Sequence, residues 1–424
     1  MTGTRTTQWH ISPNLALDQL VAKRRAEGAS IVHLGFGESR LPVYPPLAGQ
    51  LLAGAKRNAY GPVVGSESVR ASVAGYFSRR ALPTRPEQVI VAPGSKALLI
   101  ALHMVVTGDV LIPRPSWVTY RPQVELAGKR AWGVPVPAEC GGVPEPAALR
   151  DTIRVARADG GDPRVLVLTL PDNPTGTTAG PGLVRELCAI AEDEDLLILS
   201  DEIYRDLLHD PAFPFLSPAE VTPDRTVVFT GLSKSMALGG WRIGAARFPA
   251  GDQGDPIRAG VASVASEVWS ALAGPMQAVA EYAFAEPPGL RARVAADAAL
   301  HGKVARAVHE VLIDGGALNR PPTGGFYCYP DYEPLRGALA ARGITDVAAL
   351  QRFLIDEHGI AMLAGHHFGD DPHALRLRAA TSMLYGETEA DQYAALEAED
   401  PLSLKHIDEA VTRIRDSFTD LWSQ

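Results

Sequence analysis

Short, almost wholly apolar runs alternate along this chain with longer stretches in which apolar positions recur every three or four residues. Six runs read as strands: "QVIVAPG" (88–94), "DVLIPRP" (109–115), "RVLVLTLPD" (164–172), "DLLILSDE" (195–202), "TVVFTG" (226–231) and "WRIGAARF" (241–248). Between them, "SKALLIALHMVV" (95–106) and "GPGLVRELCAIAEDE" (180–194) carry helical spacing. Buried strands alternating with helices predict an α/β fold, a mainly parallel sheet covered on both faces. Such sheets bind ligands at the carboxyl ends of their strands. From about residue 285 the pattern changes. A long helical stretch (287–317) leads to "GGFYCYPDY" (324–332), more helix, and the strand-like "ALRLRAATS" (374–382). This part reads as a second, smaller α/β domain.

Composition narrows the classes. The chain has 424 residues, 46% of them hydrophobic, enough for a large core. Its formal charge is −9 with mixed signs, which argues against nucleic acid as the main partner. No apolar run reaches the roughly 18–20 residues needed to span a bilayer. The opening "MTGTRTTQWHISPNL" lacks the apolar core of a signal peptide. A cytoplasmic protein with no membrane contact is expected. Cys140, Cys188 and Cys328 are far apart, odd in number and form no C-x-x-C pair. They read as reduced, packed thiols, and no metal site is expected.

Polar residues cluster just after the strands. "SDEIYRD" puts Asp201 at a strand exit with Tyr204 three further on. "PDNPTGT" supplies Asn173, "APGSKALL" supplies Ser95 and Lys96, and "PRPSWVTY" supplies Trp117. "GLSKSMALGGWRIG" places Ser233, Lys234 and Arg242 after the fifth run. Each has an ordinary reading alone: a helix cap for Asp201, a turn for the Asn-Pro-Thr-Gly, core packing for Trp117, a plain helix start for Ser95. The spacing of a Walker P-loop is absent. Taken together and in this order, the set resembles the pyridoxal-phosphate enzymes of the aspartate aminotransferase fold (fold type I), the class I/II aminotransferases. The likeness runs from "SPNLALDQLVAKRRAEGASIVHLGFGE" to "LRLRAATS".

The resemblance implies a three-layer αβα large domain with a mainly parallel seven-stranded sheet, residues 45–285, and a small α/β domain from 1–44 and 286–424. It implies pyridoxal 5'-phosphate as cofactor. Lys234 is then the Schiff-base lysine and proton carrier. Asp201 pairs with the ring nitrogen, Asn173 and Tyr204 with the phenolic oxygen, and Trp117 stacks on the ring. Lys234, Asp201 and Tyr204 form the catalytic set. Ser95, Lys96, Ser233 and Arg242 take the phosphate, joined by Tyr60 across a homodimer interface. Arg376 is the expected clamp on the substrate α-carboxylate, with Gly37, Ser39 and Asn173 as further substrate contacts. Arg378 shares a strand face with Arg376 and reads as a second anion clamp or as a surface ion-pair residue. The implied substrates are an amino acid and a 2-oxo acid. Reaction through an external aldimine and quinonoid makes an aminotransferase the leading reading. The alternative is a specialised lyase or synthase acting by elimination, replacement or cyclisation, with S-adenosylmethionine as one such substrate.

Four features depart from the family pattern. "LGFGESRLP" (34–42) carries Ser39 and Arg40 where Gly-Glu-Pro-Asp-Phe is usual. "MLAGHHFG" (362–369) carries His366 and His367, a proton carrier, a substrate contact or plain loop residues. Gly239 stands where threonine is common beside the phosphate turn. An insertion, "MLYGETEADQYAALEAEDPLSL" (383–404), either caps the pocket or decorates the surface.

Overall fold

The computed structural model describes residues 11–422. The stretch 1–10, part of the segment read above as lacking a leader, lies outside the described residues. One sheet has seven strands: β1 (Val89–Ala92), β2 (Asp109–Arg114), β3 (Ala131–Pro135), β4 (Pro163–Thr169), β5 (Leu197–Asp201), β6 (Thr226–Gly231) and β7 (Gly244–Arg247). Their order is β1-β7-β6-β5-β4-β2-β3. Only β7 runs antiparallel to its neighbours β1 and β6; the other pairings are parallel.

The six expected strands are all present, and β3 is the one the apolar pattern missed. It is the sheet's edge, mostly half-buried, and its "AWGVP" has little to bury. "WRIGAARF" pairs only from Gly244, because Gly239–Trp241 forms a tight turn and Arg242 takes a left-handed conformation with φ 56°. In the central strands, alternate residues feed two cores. Val110, Ile112, Val165, Val167 and Leu199 pack on one face with Leu98 and Leu102. Leu111, Leu166, Leu168 and Ile198 pack on the other with Leu187 and Ile190. Each such side chain contributes about 1.5–3 kcal/mol when buried, so the runs stay almost wholly apolar; Ser200, the polar exception inside β5, donates to Glu202 at 3.0 Å.

Helix α1 (Pro13–Ala26) opens the described chain, and α2 (Ser95–Val105) follows β1. The remaining strands form an antiparallel sheet of order β9-β10-β8, from β8 (Tyr327–Cys328), β9 (Leu363–Ala364) and β10 (Leu377–Ala380). Val32 and His33 pair in parallel with Ile360 and Ala361, tying the N-terminal segment to this part. Two helices, α3 (Pro288–Asp314) and the last helix, Lys405–Trp422, pack over it around Leu34, Val304, Leu354, Leu377 and Ile414. The 383–404 insertion carries helix α4 (Glu389–Glu397), which lies on α3. Among the described residues no helix is long and apolar enough to cross a membrane.

Candidate active site

Parallel register brings the carboxyl ends of the central strands side by side, Thr169 opposite Asp201 and Asp201 opposite Phe229. A pocket of about 450 Å³ opens there. Asp201, the last residue of β5, is buried. Its Oδ2 accepts from Tyr120 Oη (2.9 Å) and its Oδ1 from the Ile203 N–H (3.3 Å). Tyr120 Oη also lies 2.8 Å from Thr169 Oγ1. Burial pushes the Asp201 carboxyl up to about 6, against the pull of these donors and of Lys234. A carboxylate held this way favours a cation placed beside it.

Lys234 sits in the single helical turn Leu232–Ser235 that follows β6. Its Nζ donates to the Gly37 carbonyl. Burial, with Arg378 and Arg242, lowers its pKa to about 8 against the opposing pull of Glu38 and Asp201. An amine so tuned is a better nucleophile and proton carrier near neutral pH than an exposed lysine.

The opposite end of the pocket is built for an anion. Gly94, at φ 86° and ψ 156°, turns the chain from β1 into α2, whose first N–H groups lack intrahelical partners. A Cβ on Gly94 would stand 2.3 Å from Arg242 Nη2, so only glycine lets that guanidinium settle over the turn. Arg242 is anchored by the Gly239 carbonyl at 2.9 Å. Ser95, Lys96, Ser233 and Gly239 line the same end. Free amides plus a planar cation suit a phosphate. Trp117 forms a side wall, edge-on to Tyr120 and with Lys96 Nζ 5.1 Å from its ring centre.

Of the residues singled out in the sequence, Ser95, Lys96, Trp117, Asn173, Asp201, Tyr204, Ser233, Lys234, Arg242 and Gly37 come together around this pocket. Three do not. Arg376 pairs with Asp331 (2.8 Å) and Asp370 (3.4 Å) outside it. The register from Ala380 opposite Tyr327 to Arg376 opposite Asp331 places Arg376 and Arg378 on one face, as expected. Two residues along a strand still span about 7 Å, and that carries Arg376 outward to the two aspartates. Arg378 is the arginine turned inward. Ser39 is buried with its hydroxyl toward His301, so Glu38 faces the pocket in its place. Tyr60 is 94% exposed and does not line the pocket of its own chain.

Arg378 is fully buried. Its Nη1 donates to Asn173 Oδ1 (3.1 Å), and its Nη2 to Asn14 Oδ1 (3.0 Å) and the Gly35 carbonyl (2.8 Å). Its Nε has no hydrogen-bond partner among the described residues. Tyr204 and Tyr327 meet through their hydroxyls at 2.7 Å. Tyr120, Thr169, Asn14, Glu38 and Tyr327 were missed in the sequence. The signals available were an aromatic three residues after Trp117 and the aromatic run "FYCY". His366 and His367 line a separate, larger cavity of about 1460 Å³ that shares Ser12, Lys96, Trp117 and Thr119 with the pocket. No residue of 383–404 lines either cavity. The donor set fits the cofactor that the resemblance implies: a buried carboxylate for a ring nitrogen, an amine for an aldehyde, and amides with a guanidinium for a phosphate.

Comparison with known proteins agrees. The family model "Aminotransferase class I and II" matches residues 31–384. An aspartate/prephenate aminotransferase of Thermus thermophilus is 31% identical over 386 residues, covering 88% of this chain and 92% of the relative. The aspartate aminotransferase of Bacillus subtilis is 30% identical over 383 residues, with coverages of 88% and 92%. The solved aspartate aminotransferase from Thermus thermophilus with maleate superposes with a TM-score of 0.80 at 26% identity, covering 94% of this chain and 98% of that one.

Proposed function

The chain belongs to the class I and II aminotransferases, and on that premise we propose that Arg378, not Arg376, seats the α-carboxylate of its substrates. The protein is a pyridoxal-phosphate-dependent aminotransferase acting on an amino acid and an oxo acid. The lyase or synthase alternative is not favoured. One observation carries the proposal. Arg378 is a buried guanidinium whose partners are all neutral, two amide oxygens and a carbonyl. A buried cation without an anion is costly, and a carboxylate bound beside Asn173 supplies the missing charge.

When bound, the cofactor supplies an aldehyde for the amino group and a ring that accepts the electron pair left at the substrate α-carbon. The chain's own residues do the rest in this reading. Lys234 Nζ would provide the amine that holds the aldehyde and the base that moves the α-proton. Asp201 would hold the proton of the ring nitrogen, with Tyr120 and Thr169 fixing the carboxylate. Asn173 and Tyr204 direct donors to the phenolic oxygen. Ser95, Lys96, Ser233 and Arg242 hold the phosphate, and Trp117 keeps the ring plane. Tyr60, standing free of its own chain, is available to a second copy, and a homodimer with shared sites is part of the proposal. So is the division into a large domain, 45–285, and a small one, 1–44 with 286–424, which the separate cores support. Three buried free thiols support a reducing, cytoplasmic setting.

The test is incubation of the purified protein with a panel of amino acids and S-adenosylmethionine, with and without 2-oxoglutarate. Glutamate is expected only when an amino donor and 2-oxoglutarate are both present. Release of methylthioadenosine with no oxo acid added would overturn transamination as the main activity.

A further inference from the structure

A strap, residues 34–40, runs along one wall of the pocket. Phe36, Gly37 and Glu38 line the pocket, and the Gly37 carbonyl receives Lys234 Nζ. The strap is pinned from one side by the region of β10. Leu34 O accepts from the Ala380 N–H (2.7 Å), Gly35 O from Arg378 Nη2 (2.8 Å) and Glu38 O from Ser382 Oγ (2.5 Å).

Two of the sequence's departures from the family pattern meet on this strap. Ser39 Oγ lies 3.4 Å from His301 Nε2, and His301 Nδ1 lies 2.6 Å from Tyr385 Oη in the 383–404 insertion. All three side chains are buried. A second link is exposed: Arg40 lies 3.7 Å from Glu38 and 3.4 Å from Glu387, and Glu387 bonds Arg25 at 2.8 Å. The histidine suits a relay without charge. Burial, with His209 adding to it, drives its pKa down to about 3, so the ring is neutral. A neutral imidazole has one donor and one acceptor nitrogen, and a hydroxyl on each side satisfies both. Phe326 and Tyr385, at 5.0 and 5.4 Å, fix the ring.

We propose that the 383–404 segment is a clasp for the strap, acting through Tyr385, His301 and Ser39, and that the clasped strap sets the surroundings of Lys234. These three are positioning residues. The inference rests on the assignment of Lys234 given above. The charged groups facing Lys234 are Glu38 from the strap, Arg378 from β10, Arg242 from the turn before β7, and Asp201 from β5. The rings of Tyr204 and Phe326 stand 5.9 Å from its Nζ. A loosened strap withdraws the Gly37 carbonyl and Glu38, which both favour the ammonium form, but it also admits water to a lysine whose pKa is lowered above all by burial. Relief of that burial dominates, and the Lys234 pKa rises towards its ordinary value.

The full-length protein, stripped of cofactor, is mixed with pyridoxal phosphate across a pH series, and uptake is followed by absorbance. Uptake through Lys234 needs its neutral amine. In Ser39→Ala and in Tyr385→Phe the uptake midpoint is expected to rise by about half a unit or more, and KM for the amino donor to rise more than kcat falls. Because both residues act through His301, the double variant is expected to match the worse single one. Unchanged midpoint and KM with a lowered melting temperature would make the segment a mere brace of the small domain and overturn the proposal. Fully additive effects would overturn it too. Glu387→Gln, at an exposed site, keeps the test open if the buried variants misfold: a smaller shift in the same direction is expected, and none counts against the clasp. Lys234→Ala separates the two inferences. Uptake with wild-type absorbance in that variant would overturn the lysine assignment itself.

Discussion

At the scale of single residues, two arginines two positions apart have different fates. Arg378 is enclosed among neutral acceptors, while Arg376 is half-exposed and already paired with two aspartates. Arg378→Ala is therefore expected to lower kcat/KM for every amino donor by roughly 100-fold or more, the cost of losing a desolvated charge pair of about 2–5 kcal/mol. Bound cofactor should persist. Arg376→Ala removes a surface pair of at most about 1 kcal/mol and should leave kcat/KM within a few-fold. Steady-state kinetics on the two variants decides between them, and the reverse ranking would return the carboxylate to Arg376. The sequence made both residues visible, and their alternation along β10 was readable. Their depth was not, because Asp331 and Asp370 decide it and neither is marked by a local pattern. Cofactor-type positions were easier to read, since each lies directly after an apolar strand.

At the scale of elements, the site depends on where strands stop. β5 ends at Asp201, β6 runs into the turn of Lys234, and β1 passes through Gly94 into α2. Gly94 lies in a backbone region that only glycine occupies readily, and side chains forced there cost about 1–3 kcal/mol. Gly94→Ala also drives a Cβ into the Arg242 guanidinium. Both effects fall on the anion-binding turn rather than on the two cores. The variant should fold, with pyridoxal phosphate bound about tenfold or more weaker by titration. Unchanged affinity would mean that Arg242 does not depend on that turn. Strand interiors were legible because both faces are buried and the runs stay apolar. β3 was not, because an edge strand buries little. The late start of β7 was hidden as well, since "WRIG" looks extended while Arg242 is left-handed.

At the scale of the whole molecule, the fold class was legible because burying both faces of a parallel sheet leaves a strong apolar signature. The proposed role of Tyr60 leaves no mark within one chain, where its side chain is exposed. One property of the whole fold follows from a residue that the function does not use. His103 on α2 is fully buried, and neither ring nitrogen has a hydrogen-bond partner among the described residues. Burial, with Lys129 nearby, lowers its pKa to about 4 from an unfolded value near 6.5. The unfolded chain takes up a proton below 6.5 and the folded one does not until about 4, so stability falls as pH drops through that window, by up to about 3 kcal/mol from this site. His301, near 3, and His367, near 4, act in the same direction. Asp172 and Asp297, both raised to about 7, act in the opposite one, since they hold protons that the unfolded chain has already lost. The overall pH profile mixes these contributions, and a single variant isolates one of them. His103→Leu fills a similar volume with no polar atoms, so it should be more stable than the parent at pH 7 by about 1–3 kcal/mol for the unpaired nitrogens alone. The gap should widen as pH falls from 6.5 towards 4.5. Urea unfolding at several pH values measures it, and a gap that stays constant with pH would show that His103 titrates alike in the folded and unfolded chain.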